Sequence, residues 1–379
     1  MKTKNLNHLT AIIAVILIFV SCKKHDYPPP CAGSNDSTVT TIKIFATGLN
    51  NPRGLKFGPD GNLYVAEGGN GGNHFSSGCQ QAPPPVGPYM GNDSNSRISK
   101  IDWHGTRTTA VDFLPSCTAG AQTGSGVTGM ADVAFIGSTL YGLIGGAGCS
   151  HGVPDIPNGV AKVNTNGSWT LAADYSQFII AHPGENHSDG DYTPDGNPWN
   201  MIAYKNNFYL VEANTGVLDE ISTDGNVKRV VDISATQGHI VPTALVQHNG
   251  FFYVGNLGLF PITQGSANVY QVTQNGKIKV FASGFTTIVG LAFDNRDRLY
   301  VLELSDGPGG PTPNLGKIVR VDQSGNMETI ASGLNFPTAM TFGPDGRLYV
   351  SGTGIGAPGS GEILQIGFKC EEVQGDMKQ

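Results

Sequence analysis

The sequence predicts an all-β fold, a six-bladed β-propeller whose N-terminal strand completes the last blade. Three observations predict it. An aromatic doublet recurs six times, a second hairpin follows it in five of those repeats, and the N-terminal segment copies the last strand of a blade.

The doublets are Leu63-Tyr64, Leu140-Tyr141, Phe208-Tyr209, Phe252-Tyr253, Leu299-Tyr300 and Leu348-Tyr349, with Tyr-to-Tyr steps of 77, 68, 44, 47 and 49 residues. The last three steps match a four-stranded propeller blade, and the first two fit blades carrying long insertions. A sandwich would not repeat one motif six times.

A short apolar run and a turn precede each doublet, most plainly in 54–65 and 338–350. In the Pro-Asp-Gly turns, Pro fixes φ, Asp bonds the backbone and Gly accepts positive φ, so each is a hairpin joining strands one and two. A second hairpin turns at Gly105, Gly167, Gly225, Gly276 and Gly325 and supplies strands three and four. The sixth repeat has a third strand, 362–366, but no fourth. Residues 41–49 resemble residues 276–285, a fourth strand running into the next blade, so the N-terminal strand is expected to close the ring and leave no open edge there. That pairing would bring Cys31 near Cys370, and a disulfide between them is expected.

The propeller is thus assigned to residues 39–370. Before it, Lys2 and Lys4 lead into an apolar run from Leu9 to Val20, the layout of a secretory signal over 1–21. Twelve apolar residues are too few to span a bilayer of roughly 30 Å as a helix. Cys22 follows Phe19-Val20-Ser21 as the lipid-bearing cysteine follows a bacterial lipobox, with Phe19 in place of the usual Leu. Residues 22–38, with Pro28, Pro29 and Pro30, read as a stiff linker from the lipid, and 371–379 as a disordered tail. The expected location is the outer membrane, facing the periplasm, with the lipid as the membrane contact and the protein a monomer. The net charge of −7 and the lack of a basic cluster after Lys24 argue against nucleic acid.

Five cysteines remain once Cys22 carries lipid, an odd number in an oxidising compartment. Of Cys79, Cys117 and Cys149, one pair is expected to staple two insertions; spacing does not say which. A catalytic role for the third finds no neighbouring basic residue in the sequence to activate it.

The long insertions, 68–95, 115–128, 145–158, 180–197, 256–267, 305–315 and 352–361, all fall in loops that leave one face of a propeller, which marks that face as the working one. Three residues after each doublet Tyr stands a column: Glu67, Ile144, Glu212, Asn256, Glu303 and Gly352. Glu67, Glu212, Asn256 and Glu303 offer oxygen ligands for Ca²⁺ or Mg²⁺; the bland alternative is that they cap backbone N–H groups of their own loops. Residues 182–200 are the densest ionisable group, with His182, Glu185, His187, Asp189, Asp191 and Asp195. They can bind metal or run acid–base chemistry, and Asp, Gly and Pro also simply make turns. Counted from Asp189, the spacing fails the EF-hand pattern at Thr193. Phe75, Tyr89, Tyr192, Trp199 and Phe260 can stack on a planar ligand or pack their own loops. Arg53 and His239 are the cationic candidates for the channel. No His-Glu-x-x-His, P-loop or Cys-x-x-Cys occurs, which removes support for zincin and nucleotide-driven chemistry.

Residues 46–69, Ser96-Arg97-Ile98-Ser99-Lys100-Ile101-Asp102, Asn197-Pro198-Trp199-Asn200 and 152–163 resemble the ScyD/ScyE family of exported six-bladed propellers, whose architecture is NHL- and TolB-like. The likeness covers about residues 40–367, and the first-blade insertion and the Asn-Pro-Trp segment are its more specific parts. It implies a periplasmic role near aromatic secondary metabolites, binding or coupling them with a bound divalent metal; the lipid anchor departs from that picture. The expected ligand set is Arg53, Phe75, Tyr192, Trp199, Asn200 and His239. Two other readings stay open: a non-catalytic module presenting its loop face to an envelope protein or glycan, and a lactonase, lyase or sugar dehydrogenase of the six-bladed type.

Overall fold

The structure, a computed structural model, describes residues 38–120 and 126–369. It is a six-bladed β-propeller. Six small antiparallel sheets form the blades, and in five of them sequence order is spatial order, each strand pairing with the next. The exception is the closing blade, where Thr38–Leu49 lies outside Gly361–Lys369 and Leu348–Gly352, with Ala339–Phe342 innermost. Its register runs from Thr38 opposite Lys369 to Leu49 opposite Gly361, so the predicted closure is present. Cys22, Cys31 and Cys370 lie outside the described residues, as do the signal and the tail.

The doublets recur because each Tyr seals the seam to the next blade. Its ring packs against an aromatic ring of the next blade: Tyr64 on Phe135, Tyr141 on Phe208, Tyr209 on Phe252, Tyr253 on Phe293, Tyr300 on Phe342 and Tyr349 on Phe57, with centroids 4.5 to 5.1 Å apart. Such pairs add roughly 0.5–1.5 kcal/mol each beyond their buried area. In the first and sixth blades the hydroxyl also donates to the turn aspartate, Tyr64 to Asp60 and Tyr349 to Asp345, at 3.0 Å in both. The turn and the blade seam are fixed by one side chain.

The innermost strands, Pro52–Phe57, Met130–Ile136, Pro198–Tyr204, Pro242–His248, Ile288–Phe293 and Ala339–Phe342, pack in a ring around the channel. Side chains stitch adjacent members. Asp132 Oδ2 accepts from Met201 N at 3.0 Å and from Asn200 Nδ2, while Asn200 Oδ1 accepts from Leu245 N at 2.6 Å. Thr243 donates to Ile288 O and Thr338 to Pro52 O. A Cβ on Gly54 would stand 1.8 Å from Asp132 Oδ1, so only glycine lets the first two inner strands approach this closely.

The first blade departs from the sequence reading. Its third and fourth strands are 12 residues each, Met90–Ile101 and Arg107–Thr118, and Val127–Thr128 adds a fifth. Both long strands run beyond the blade over the loop face, so the ends of the 68–95 and 115–128 insertions are strand. The sequence reading also places no helix leading into the 180–197 insertion, whereas Tyr175–Ala181 is helical, capped by Asp174 accepting from Gln177 N at 2.9 Å.

Candidate functional site at the channel mouth

The carboxylate and amide column does not converge into a metal set. Each member is turned into the loops beside its own strand. Glu67 is fully buried and accepts from Ser99 Oγ and from Asn50 N at 2.6 Å, with Arg107 Nη1 at 3.5 Å. Glu212 Oε1 accepts from Asn197 N and Asn214 N, each at 2.8 Å, and Oε2 from Thr215 N and Oγ1. Asn256 donates to Ile240 O and accepts from Asn268 N. Glu303 faces Lys317 Nζ at 3.5 Å. Among the described residues, no three His, Cys, Asp or Glu side chains stand together as metal ligands. The physical reason lies in the strand ends: where strand two runs out, peptide N–H groups lose their ladder partners, and Glu67, Glu212 and Asn256 satisfy them, whereas the buried Glu303 oxygens have no hydrogen-bond partner.

What converges instead is the start of every innermost strand. Arg53, Gly54, Thr128, Ala131, Trp199, Asn200, Thr243, Val289, Thr338 and Ala339 line the channel mouth. These positions lie beside the column, since Pro52 pairs with Glu67 and Pro198 with Glu212, which puts the mouth on the loop face. Arg53 lies over the Trp199 ring at 5.4 Å and donates through Nη2 to Val127 O. It is 8% exposed, forms no ion pair with a carboxylate among the described residues, and its Nε has no hydrogen-bond partner. Burial pulls its pKa down to about 10. A buried cation without a counter-charge is costly. The cavity itself is about 10 Å³, room for one water-sized group.

Above the mouth, a disulfide joins Cys79 to Cys149 and ties the first-blade insertion to the second. Cys117 is the free one; it is buried, and burial pushes its thiol far up, so it is no thiolate nucleophile. Beside Cys149, His151 is fully buried, packs at a tilt against Tyr89 with ring centroids 4.5 Å apart and stands 3.6 Å from Asp195 Oδ1. Burial acts to raise the Asp195 carboxyl, but His151 and the Ser150 N–H outweigh it and hold it below the usual range.

Of the expected ligand residues, the structure brings Arg53, Trp199 and Asn200 together. His239 points away from the mouth group and bonds Asp191 Oδ2 at 2.9 Å. Tyr192 stacks on His187 of its own loop, centroids 4.1 Å apart, and Phe75 is exposed on the first insertion. Sequence reasoning missed Asp132 and His151. Asp132 carries a signal in hindsight, a lone charge inside Met130-Ala131-Asp132-Val133-Ala134; burial pushes its carboxyl up to about 6. His151 carries none, because only the disulfide and the short helix Cys149–His151 bury it.

A larger cavity of about 190 Å³ lies between blades five and six on the opposite face, lined by Asp294, Arg298, Tyr300, Phe342 and Phe368 among others. Its charges are matched internally, Arg298 Nε to Asp294 Oδ2 at 2.7 Å.

No family model matches the chain, and no curated protein matches it. Solved structures do share its fold. A protein of unknown function from Bacteroides thetaiotaomicron aligns at TM-score 0.53 and 12% identity, covering 89% of this chain and 73% of its own. A gluconolactonase from Xanthomonas campestris aligns at 0.53 and 11%, covering 90% and 97%. A luciferin-regenerating enzyme aligns at 0.52 and 11%, covering 87% and 96%. At these identities the likeness establishes the six-bladed architecture and nothing finer.

Proposed function

We propose that the loop face of this propeller binds a small organic molecule through an anionic oxygen, which enters the channel mouth and pairs with Arg53. One observation carries the reading: Arg53 is a buried guanidinium, unmatched by any carboxylate among the described residues, aimed where all six innermost strands begin. A ligand carboxylate or enolate supplies the missing charge and takes a hydrogen bond from the free Nε. The mouth holds about one water, so the rest of the ligand lies outside it, under the insertions, where Trp199 offers an aromatic face. An aromatic ligand is what the ScyD/ScyE resemblance implies, and the Trp199 ring supports it. The divalent metal of that resemblance finds no support in the column, and no step is assigned to it.

The lactonase or lyase reading has a separate support. His151 and the Asp195 carboxylate, 3.6 Å apart and without a hydrogen bond between them, are the pair of groups that would serve as general base and its charge partner. It would act on a ligand held at Arg53 once the roof over His151 opens. The chain is further read as exported and anchored through Cys22, which Cys22→Ser tests by loss of palmitate labelling and of membrane fractionation.

Calorimetric titration with benzoate, indole-3-acetate, gluconate and glucono-δ-lactone tests the ligand reading. Binding of an aromatic carboxylate that falls at least tenfold in Arg53→Met and in Trp199→Ala is expected. Equal binding by wild type and Arg53→Met removes it. Hydrolysis of the lactone that survives in wild type and vanishes in His151→Gln selects the enzymatic form.

A further inference from the structure

The 180–197 insertion, with Asn214 from the turn after Asn207–Glu212, holds a set of oxygens that pairing with a ligand at Arg53 does not use. Asp191 Oδ1, Thr193 Oγ1, Asp195 Oδ1, Asn197 Oδ1 and Asn214 Oδ1 are all buried, and none has a hydrogen-bond partner. Thr193 is fully buried, and Asn214 and Asp195 are about 5% exposed or less. Buried polar oxygens are nearly always partnered, and leaving one unpaired is costly. Four of these lie within residues 191–197, Asn214 Nδ2 bonds that segment at Asp191 O, and every one is an oxygen acceptor or a hydroxyl, so a single cation would answer them together.

The cluster is held together from outside. Glu212 Oε1 accepts from the backbone N–H groups of both Asn197 and Asn214, at 2.8 Å each, which draws the two backbone segments together. Asn214 Nδ2 donates to Asp191 O, so its Oδ1 is the free end of an oriented amide. Asp195 Oδ2 accepts from Ser150 N at 2.8 Å and Asp191 Oδ2 pairs with His239 Nε2 at 2.9 Å, which leaves Asp191 Oδ1 without a partner and Asp195 Oδ1 without a hydrogen bond, 3.6 Å from His151 Nδ1. Outer partners of this kind orient metal-ligating carboxylates. Gly196 turns the loop at φ 75° and donates to Thr193 O at 3.0 Å.

Counted from Asp191 rather than Asp189, the sequence Asp191-Tyr192-Thr193-Pro194-Asp195-Gly196 places oxygen side chains at the first, third and fifth positions and glycine at the sixth, as a calcium loop does. The glutamate that an EF-hand carries at its twelfth position is absent, since Ile202 stands there. Asn197 and Asn214 supply oxygens in its place.

We infer that Asp191, Thr193, Asp195, Asn197 and Asn214 form a Ca²⁺ site in the insertion between the second and third blades. Five oxygens approach the six to eight that Ca²⁺ takes, with solvent or a carbonyl completing the shell. All are hard ligands, which disfavours zinc, and the irregular loop suits Ca²⁺ better than the octahedron Mg²⁺ demands. Two carboxylates among neutral oxygens place the affinity on the order of 10⁻⁴ to 10⁻³ M, the range of extracellular modules.

The full chain, stripped with EGTA, is titrated with CaCl₂ to ~10 mM, above the weakest affinity of that range, following thermal unfolding and heat, and separately with Tb³⁺, whose emission Tyr192 would sensitise. The expected result is one Ca²⁺ per chain, a raised unfolding midpoint, and Tb³⁺ emission that Ca²⁺ displaces and Mg²⁺ does not. Thr193→Val keeps the side-chain shape and removes an oxygen without a protein partner, so the metal-free variant is expected to fold and to be at least as stable as wild type. Its Ca²⁺ affinity should fall about tenfold or more, and that of Asp191→Asn likewise. No Ca²⁺-dependent shift and no Tb³⁺ emission, or a wild-type response retained in both variants, overturns the inference and leaves the oxygens to buried water.

Discussion

Tyr349 meets the edge of Phe57 with ring centroids 5.0 Å apart, and this contact joins the last blade to the first. Phe45, from the closing strand, packs on the same Tyr349 ring at 5.1 Å, so one side chain touches both the strand that closes the ring and the blade that opens it. Truncating Tyr349 to Ala is expected to cost roughly 3–5 kcal/mol, the usual range for a buried aromatic. In a double-mutant cycle with Phe57→Ala, urea unfolding should give a coupling of about 0.5–1.5 kcal/mol. Coupling near zero would show that the seam is held by the strand pairing alone.

Arg53 presents the opposite case, a residue expected to lower stability. Its guanidinium is buried and forms no ion pair with a carboxylate among the described residues, and its aliphatic stem already packs in an apolar setting. Met fills a similar volume without the charge. Arg53→Met should raise unfolding free energy by roughly 1 kcal/mol or more, as replacements of poorly compensated buried charges do. A loss of stability instead would mean that the bond to Val127 O outweighs the desolvation of the charge.

The aromatic repeat made the fold legible because every doublet Tyr contributes to the same seam six times over, and a repeated physical demand leaves a repeated residue. The closing strand was legible for the same reason: residues 41–49 must satisfy the same outer-strand environment as 276–285. The site was only half legible. Arg53, Trp199 and Asn200 sit on innermost strands, whose period fixes where a side chain points. Tyr192 sits on an insertion and His239 on the connection between the third and fourth blades, where contacts with other loops decide direction and no period informs it. The column misled because an oxygen-bearing side chain at a strand end reads the same whether it faces a metal or a row of unpaired N–H groups.

The Cys79–Cys149 disulfide spans 70 residues of chain, and cross-linking a loop of that length lowers unfolded-state entropy by an amount worth roughly 4 kcal/mol in the chain-entropy account. It also ties together the two insertions that roof His151. Cys79→Ser with Cys149→Ser should lower the thermal midpoint, while circular dichroism keeps the β signature, because the blades do not depend on it. Limited proteolysis should then cut first within 70–90. Unchanged proteolysis would show that Ser96, Ser116 and their bonds hold the insertion without the bridge.

Glu303 gives a pH dependence with a definite sign. Burial raises its carboxyl to about 7, with Lys317 opposing, against 4.5 for the free side chain. The folded state therefore holds a proton that the unfolded state has released between those values. The stability contribution is fully present below about pH 4.5 and is lost as pH rises through about 7, amounting to roughly 3 kcal/mol. Glu303→Gln has no proton to lose. Its urea midpoint should fall less than that of wild type between pH 5 and pH 8, and parallel curves would refute the assignment.

Asn200 is the residue on which the stitching of the inner ring turns. Its Nδ2 donates to Asp132, and its Oδ1 accepts from Leu245 N at 2.6 Å, so one side chain links the second, third and fourth blades. Asn200→Ala would leave Leu245 N–H unmatched in a buried place and strip one donor from Asp132, whose other contacts are the N–H groups of Met201 and Val133. Each lost partner costs roughly 1–3 kcal/mol, so a combined loss of about 2–4 kcal/mol is expected. Asn200→Asp keeps the acceptor for Leu245 but sets a second carboxylate beside Asp132, whose own carboxyl burial already raises to about 6. That variant should therefore be near wild type at pH 5, where the pair can share a proton, and distinctly weaker at pH 8. If Asn200→Asp unfolds alike at both values, the bond to Asp132 is not what holds the second blade to the third.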